Sequence, residues 1–214
     1  MVKKRRAARE VAQDRGGGEY WIDHAVVDED DADWLRDARW LTLWNVTLPP
    51  RFLASIPQLE GVDLRGGSAD DLSALEGCHG LRCLVVNQVR GLVDISMIEQ
   101  TRNLVVLSLY GLPNVVKAPS LLRHTALLRL ELGLMRGLPG LGGFLDAPAL
   151  RELFLVKRMT VTPADVARIK QSRIASFEWW GEDTPVSMWS PVVEEVGLPR
   201  APRAFPRESL TRLG

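Results

Sequence analysis

The stretch LVVLSLYGL, Leu104 to Leu112, is apolar at nearly every position. A strand buried on both faces reads this way, and so does one unit of a repeating structure. The spacing of its leucines decides between the two. Leu104, Leu107 and Leu109 follow the order apolar, two others, apolar, one other, apolar. The same order occurs at Leu59, Val62 and Leu64, at Leu81, Leu84 and Val86, at Leu127, Leu130 and Leu132, and at Leu150, Leu153 and Leu155. The first members of these five sets lie 22, 23, 23 and 23 residues apart. A weaker copy, Ala38, Leu41 and Leu43, begins 21 residues upstream, and another, Ile174, Phe177 and Trp179, begins 24 residues downstream. Such regular recurrence specifies a repeat architecture, in which each unit buries its apolar side against its neighbours.

The LxxLxL pattern at this period resembles the leucine-rich repeat, over residues 38 to 182. The segments DLSALEGCHGLRCLVV and DISMIEQTRNLVVLSL resemble the short type of repeat, in which an Asp-Leu/Ile-Ser turn begins the return limb. The resemblance implies an α/β fold: a solenoid with a parallel concave sheet of about seven strands and short helices or turns on its convex side. One feature departs from the family. Three positions after the third apolar residue, where the family carries Asn or Cys, stand Val46, Gly67, Val89, Leu112, Met135, Arg158 and Glu182. Without an asparagine ladder the backbone groups of the turn need other partners, because buried unpaired groups are costly. An irregular geometry is therefore expected.

Outside the repeats the pattern changes. Residues 1–18 are basic and then Gly-rich, with no periodicity, and are expected to be disordered. A single repeat domain then spans 19–198, capped at 19–37 and 183–198. EYWIDHAVV alternates and reads as a capping strand, and DEDDADWLRDA as a turn and short helix. TPADVARIKQS is the clearest helix, with Thr162 as N-cap, Pro163 at the first helical position and Asp165 completing a capping box. A second helix is expected from Ser190-Pro191 to Gly197, with Trp189, Val192, Val193 and Val196 closing the end of the core. Residues 199–214 read as an extended Pro- and Arg-rich tail.

Alternate side chains of a strand face opposite sides. If the repeated apolar trio points inward, the other face displays Trp40, Trp44, Asp63, Arg65, Asn87, Tyr110, Arg129, Glu131, Glu152, Phe154, Glu178 and Trp180. Tryptophan, tyrosine and arginine are enriched in binding hot spots. The end tryptophans have an alternative use: Trp40 and Trp44 against the N-terminal strand, and Trp180 against the C-terminal helix or tail.

Chemistry is sparse by comparison. His24, His79 and His124 share no local motif with metal-ligand spacing, and Cys78 and Cys83 lack a second Cys/His pair. RGGGE and GLGGF precede no Lys-Ser/Thr helix start, so neither is a phosphate-binding loop. No catalytic residue, metal or cofactor is therefore expected. With 27 basic and 27 acidic residues, no global field favours nucleic acid or an anionic membrane. The absence of an apolar run of about 20 residues argues against a membrane span. The reading is a cytoplasmic, monomeric, non-catalytic module that binds a partner protein on its concave face, as a bacterial immunity protein or an adaptor. The alternative is nucleic-acid binding through the basic ends, Lys3-Lys4-Arg5-Arg6 and Arg200, Arg203 and Arg207.

Overall fold

A computed structural model describes residues 6–213. Its elements run β1 (Arg6–Ala7), α1 (Ala8–Val11), β2 (Gln13–Asp14), β3 (Glu19–Asp23), β4 (Ala25–Val26) and α2 (Asp31–Trp34) through the N-terminal part. Then follow β5 (Trp40–Trp44), β6 (Gly61–Arg65), β7 (Cys83–Asn87), β8 (Val106–Tyr110), β9 (Arg129–Gly133) and β10 (Glu152–Val156). The chain ends with α3 (Pro163–Gln171), β11 (Ser176–Trp180), α4 (Val186–Val196) and α5 (Pro206–Leu213). Nine strands form one open, mostly parallel sheet in the order β11-β10-β9-β8-β7-β6-β5-β3-β2, and only β2 runs antiparallel to its neighbour. A separate parallel pair joins β1 to β4.

The repeat in the sequence is the register of this sheet. Leu41, Val62, Leu84, Leu107, Leu130, Leu153 and Phe177 form one row of paired positions. Leu43, Leu64, Val86, Leu109, Leu132, Leu155 and Trp179 form the next, with Ile22 of β3 beside Leu43. Both rows belong to one apolar core. The connecting segments cover that face with single 3₁₀ turns at Phe52–Ser55, Ser73–Leu75, Ser96–Gln100 and Gly142–Asp146, which bury Phe52, Leu53, Leu75, Ile98 and Phe144. The Asp-Leu/Ile-Ser motifs start two of these turns. Asp71 accepts the Ser73 amide at 2.8 Å and Asp94 the Ser96 amide at 2.7 Å. The second bond holds the Asp94 carboxyl below its ordinary range.

The turns after the strands satisfy their backbone without an asparagine ladder. The residue following each strand from β3 and β5 to β10 is left-handed: His24, Asn45, Gly66, Gln88, Gly111, Leu134 and Lys157 all have φ between 49° and 68°. The left-handed bend turns the amide toward the next strand. His24, Asn45, Gly66, Gln88, Gly111 and Lys157 each donate to the carbonyl of that strand's last residue, at 2.7–2.9 Å. Asn45 adds a side-chain bond, its Oδ1 accepting the Gly67 amide at 2.7 Å.

Helix α3 carries the expected capping box: the Asp165 amide donates to Thr162 Oγ1 at 3.1 Å and the Thr162 amide to Asp165 at 2.9 Å. Helix α4 ends at left-handed Gly197 as expected but begins four residues early, so Pro191 lies inside it. The early start has an anchor. The Trp189 ring occupies the space where a Gly181 Cβ would be, fixing the first turn against the end of β11. Residues 6–14, expected to be disordered, carry β1, α1 and β2, because Ala8 is buried in the core and β2 pairs with β3.

Candidate protein-binding face

The side of the sheet away from the core is built from the first, third and fifth residues of each five-residue strand. The tail closes over half of it. Instead of an extended segment, residues 206–213 form α5, which lies across β7 and β8. Pro206 opens the helix, and the Glu208 carboxylate accepts the Phe205 amide at 3.1 Å, giving a free amide of the first turn a partner. Leu210 and Leu213, one turn apart, rest on a patch of Trp40, Cys83, Val85, Val105 and Val106. Upstream, Ala201 is buried against Phe154 and Val156, and the Pro199 carbonyl accepts the Phe177 amide at 2.8 Å on the outer edge of β11.

Arginines hold this segment down. Arg212 makes a fork to Glu152, with Nη1–Oε1 and Nη2–Oε2 both 2.6 Å. Arg203 donates to Glu178 at 2.9 Å while its guanidinium lies 5.3 Å from the centre of the Trp180 ring. Arg207 pairs with Glu19, and its guanidinium sits 5.2 Å from the Trp40 ring centre. Arg200 approaches Glu178 at 3.8 Å. Because the arginines themselves stay partly in water, each such pair contributes only about 0.2–1 kcal/mol.

This covering corrects the expected display. Trp40, Asp63, Arg129, Glu152, Phe154 and Glu178 are buried rather than presented. Trp40 (8% exposed) lies flat on Gly61, the paired residue of β6, whose missing side chain leaves room for the ring, and the tail rather than the N-terminal strand covers it. Arg129 is 0% exposed and lies against the Phe154 ring at 5.4 Å. Its Nη1 donates to Glu152 at 3.0 Å, its Nη2 reaches the Ala204 carbonyl at 3.4 Å and Glu131 at 3.5 Å, and its Nε has no partner. Arg65 holds Asp63, its Nε shared between Oδ1 and Oδ2 at 2.9 and 2.8 Å and its Nη2 2.7 Å from Oδ2.

The remaining predicted residues keep part of their surface in water, and all but Glu131 are the last residues of their strands. Trp44 (41% exposed) leans on Trp21 of β3, ring centres 5.9 Å apart, and Trp180 is 40% exposed. Arg65, Asn87 and Tyr110 are half-buried, and the Tyr110 ring lies over Gly133. Glu131 is half-buried below them. A cleft of about 490 Å³ opens between the strand ends and the tail, walled by Tyr110, Phe154, Trp180 and Phe205 with Glu131 and Arg203 at its sides.

Burial sets the titration of this face. Burial raises the pKa of Asp63 and of Glu131 against the opposing pull of Arg65 and of Arg129. Burial acts the same way on Glu152, but the bonds from Arg212 and Arg129 outweigh it and leave its pKa below the ordinary value. The Cys83 thiol is pushed up to about 12 by burial, helped by Asp63 and Glu131, and Cys78 to about 11 by burial alone. Neither cysteine is primed as a nucleophile. His124 is buried, its Nε2–H donating to the Ile98 carbonyl at 3.0 Å, and burial lowers its pKa.

Sequence reasoning missed Glu19, Arg212, Leu210, Leu213 and Phe205 as parts of this face. The signal for α5 was present: Pro206 followed by Glu208, with Leu210 and Leu213 three apart. Lys3, Lys4 and Arg5 of the basic N-terminus lie outside the described residues. Among the described residues no group of three His, Cys, Asp or Glu side chains is placed to hold a metal ion, and no helix is long and apolar enough to cross a membrane. No family model matches the chain, and no curated protein matches it.

Proposed function

We propose that the chain is a leucine-rich-repeat solenoid that performs no catalysis and binds a partner protein on the sheet face opposite its core. The observation that carries this reading is the set of strand-end residues Trp44, Arg65, Asn87 and Tyr110, with Trp180 beside Arg203 at the far edge, all of which keep exposed surface where the tail buries most of the face. With strands about 4.8 Å apart, these positions span about 29 Å from β5 to β11, interrupted at buried Gly133 of β9 and Val156 of β10. Aromatic side chains on a preformed sheet lose little conformational freedom on binding, which suits tight recognition. A small bacterial immunity protein or an adaptor fits this description equally well. Nucleic-acid binding has less support, because Arg203 and Arg207 are turned onto carboxylates of the sheet.

The reading is tested by placing a photo-crosslinking residue at position 44, 110 or 180 and, as controls, at exposed Val93 or Leu122 on the connecting segments. Protein adducts should form from the strand-end positions. Adducts formed only from positions 93 and 122 would overturn it.

A further inference from the structure

The tail occupies the sheet by a repeated device. Arg203 and Arg207 are each seated on a carboxylate with an aromatic ring beside it, Glu178 with Trp180 and Glu19 with Trp40. Arg212 is seated on Glu152. The segment 199–213 carries four arginines against one glutamate, and the covered face supplies Glu19, Asp63, Glu131, Glu152 and Glu178 against Arg65 and Arg129. The charges are complementary, while the fit is imperfect. Of α5 only Ser209 is buried, its Oγ has no partner, and the Arg129 Nε beneath the segment has none. Phe205 is 74% exposed at the lip of an open cleft. Buried polar groups without partners are rare in a finished interface, and here they sit under a segment held mainly by partly hydrated ion pairs.

We propose that this face is a receptor for an arginine-bearing segment in which a non-helical stretch leads into an amphipathic helix, that residues 199–213 are its resident intramolecular ligand, and that a partner segment with the same arginine spacing displaces them. The inference rests on the reading of the face as protein-binding and names the chemistry of the partner. The forked bond to Glu152 selects arginine over lysine, whose compact ammonium cannot make it, and arginine is also the more frequent partner of an aromatic ring. The resident segment competes at the high effective concentration of a tethered ligand, so the face is guarded until a better-fitting segment arrives.

The test uses the full-length chain carrying Arg203→Gln, Arg207→Gln and Arg212→Gln, probed with a fluorescent peptide of residues 199–214. Anisotropy should show the peptide binding this variant at least about tenfold more tightly than the wild-type chain, with the affinity falling as salt rises. A peptide in which the arginines are lysines should bind more weakly. Equal binding to both proteins, or to neither, would overturn the inference. Should the triple variant not fold, Cys83 decides in a Cys78→Ala chain, because it is wholly buried beside Leu210 and Leu213. A thiol reagent should label it faster than global unfolding allows. Labelling only at the unfolding rate means that the segment does not lift, and the inference falls. A partner crosslinked from positions 44 or 110 while Cys83 stays protected would keep the proposed function and remove this one.

Discussion

The two faces of the sheet solve different problems with the same strands. The core face is two unbroken rows of apolar residues, and every one of them is held by the register and by the connecting turns. The opposite face mixes tryptophan, arginine and carboxylates, and is closed by a separate segment arriving from the far end of the chain. Apolar packing tolerates no voids, so the first face is uniform. Ion pairs and half-covered rings stabilise weakly and can exchange partners, so the second can serve recognition.

The sharpest way to break this comparison is to cut equally into both faces. Leu107→Ala should cost about 2–5 kcal/mol, because it leaves a cavity in the core. Leu213→Ala at the partly exposed edge of the tail should cost less than about 1.5 kcal/mol, as only part of its surface leaves water. Urea midpoints of the two variants measure the difference, and similar losses would erase it.

Next in size is Gly61→Ala. A Cβ there would stand 2.0 Å from the Trp40 ring, so the ring must move. A loss of about 1–3 kcal/mol is expected from such overpacking, with a shift in tryptophan emission as Trp40 leaves its seat.

Acid probes the second face through its carboxylates. Glu152 has a lowered folded pKa, so its contribution is complete above the unfolded value near 4.5 and is lost as pH falls below it. Asp63 and Glu131, with raised values, act oppositely: they favour the folded state most at low pH and lose that contribution as pH rises through their folded values. Glu152→Gln should therefore flatten or reverse the fall in urea midpoint between about pH 5 and 3. An unchanged slope would show that the Arg212 fork contributes nothing to docking.

The smallest effect lies between the faces. Leu134 holds φ at 49° in a turn where glycine stands after β6 and β8. Leu134→Gly should gain up to about 1 kcal/mol by relieving the left-handed conformation, read as a higher thermal midpoint.

The core rows were legible in the residue spacing because a parallel sheet stacks equivalent positions at a constant interval, and the interval is visible as Leu104, Leu127 and Leu150. Helix α3 was legible because Thr162, Pro163 and Asp165 form a local cap. The left-handed turns were not, since Leu134 and Lys157 carry no local preference for positive φ, and Lys157 adopts it where β11 offers the Trp180 carbonyl. The composition of the candidate face was also legible, but its availability was not. Which of its residues remain open was decided by Arg203, Arg207 and Arg212, the last of them 60 residues from the Glu152 it binds.

The sequence by itself determined the spacing of the repeat, the parallel pairing it requires and the side of each strand that turns inward, because these follow from periodicities of two and of about 23 residues along a continuous chain. Only the tertiary structure decided that the C-terminal segment becomes a helix lying on the sheet. The carboxylates and rings that seat its arginines come from four separate strands, β3, β5, β10 and β11, and converge only after the sheet is assembled.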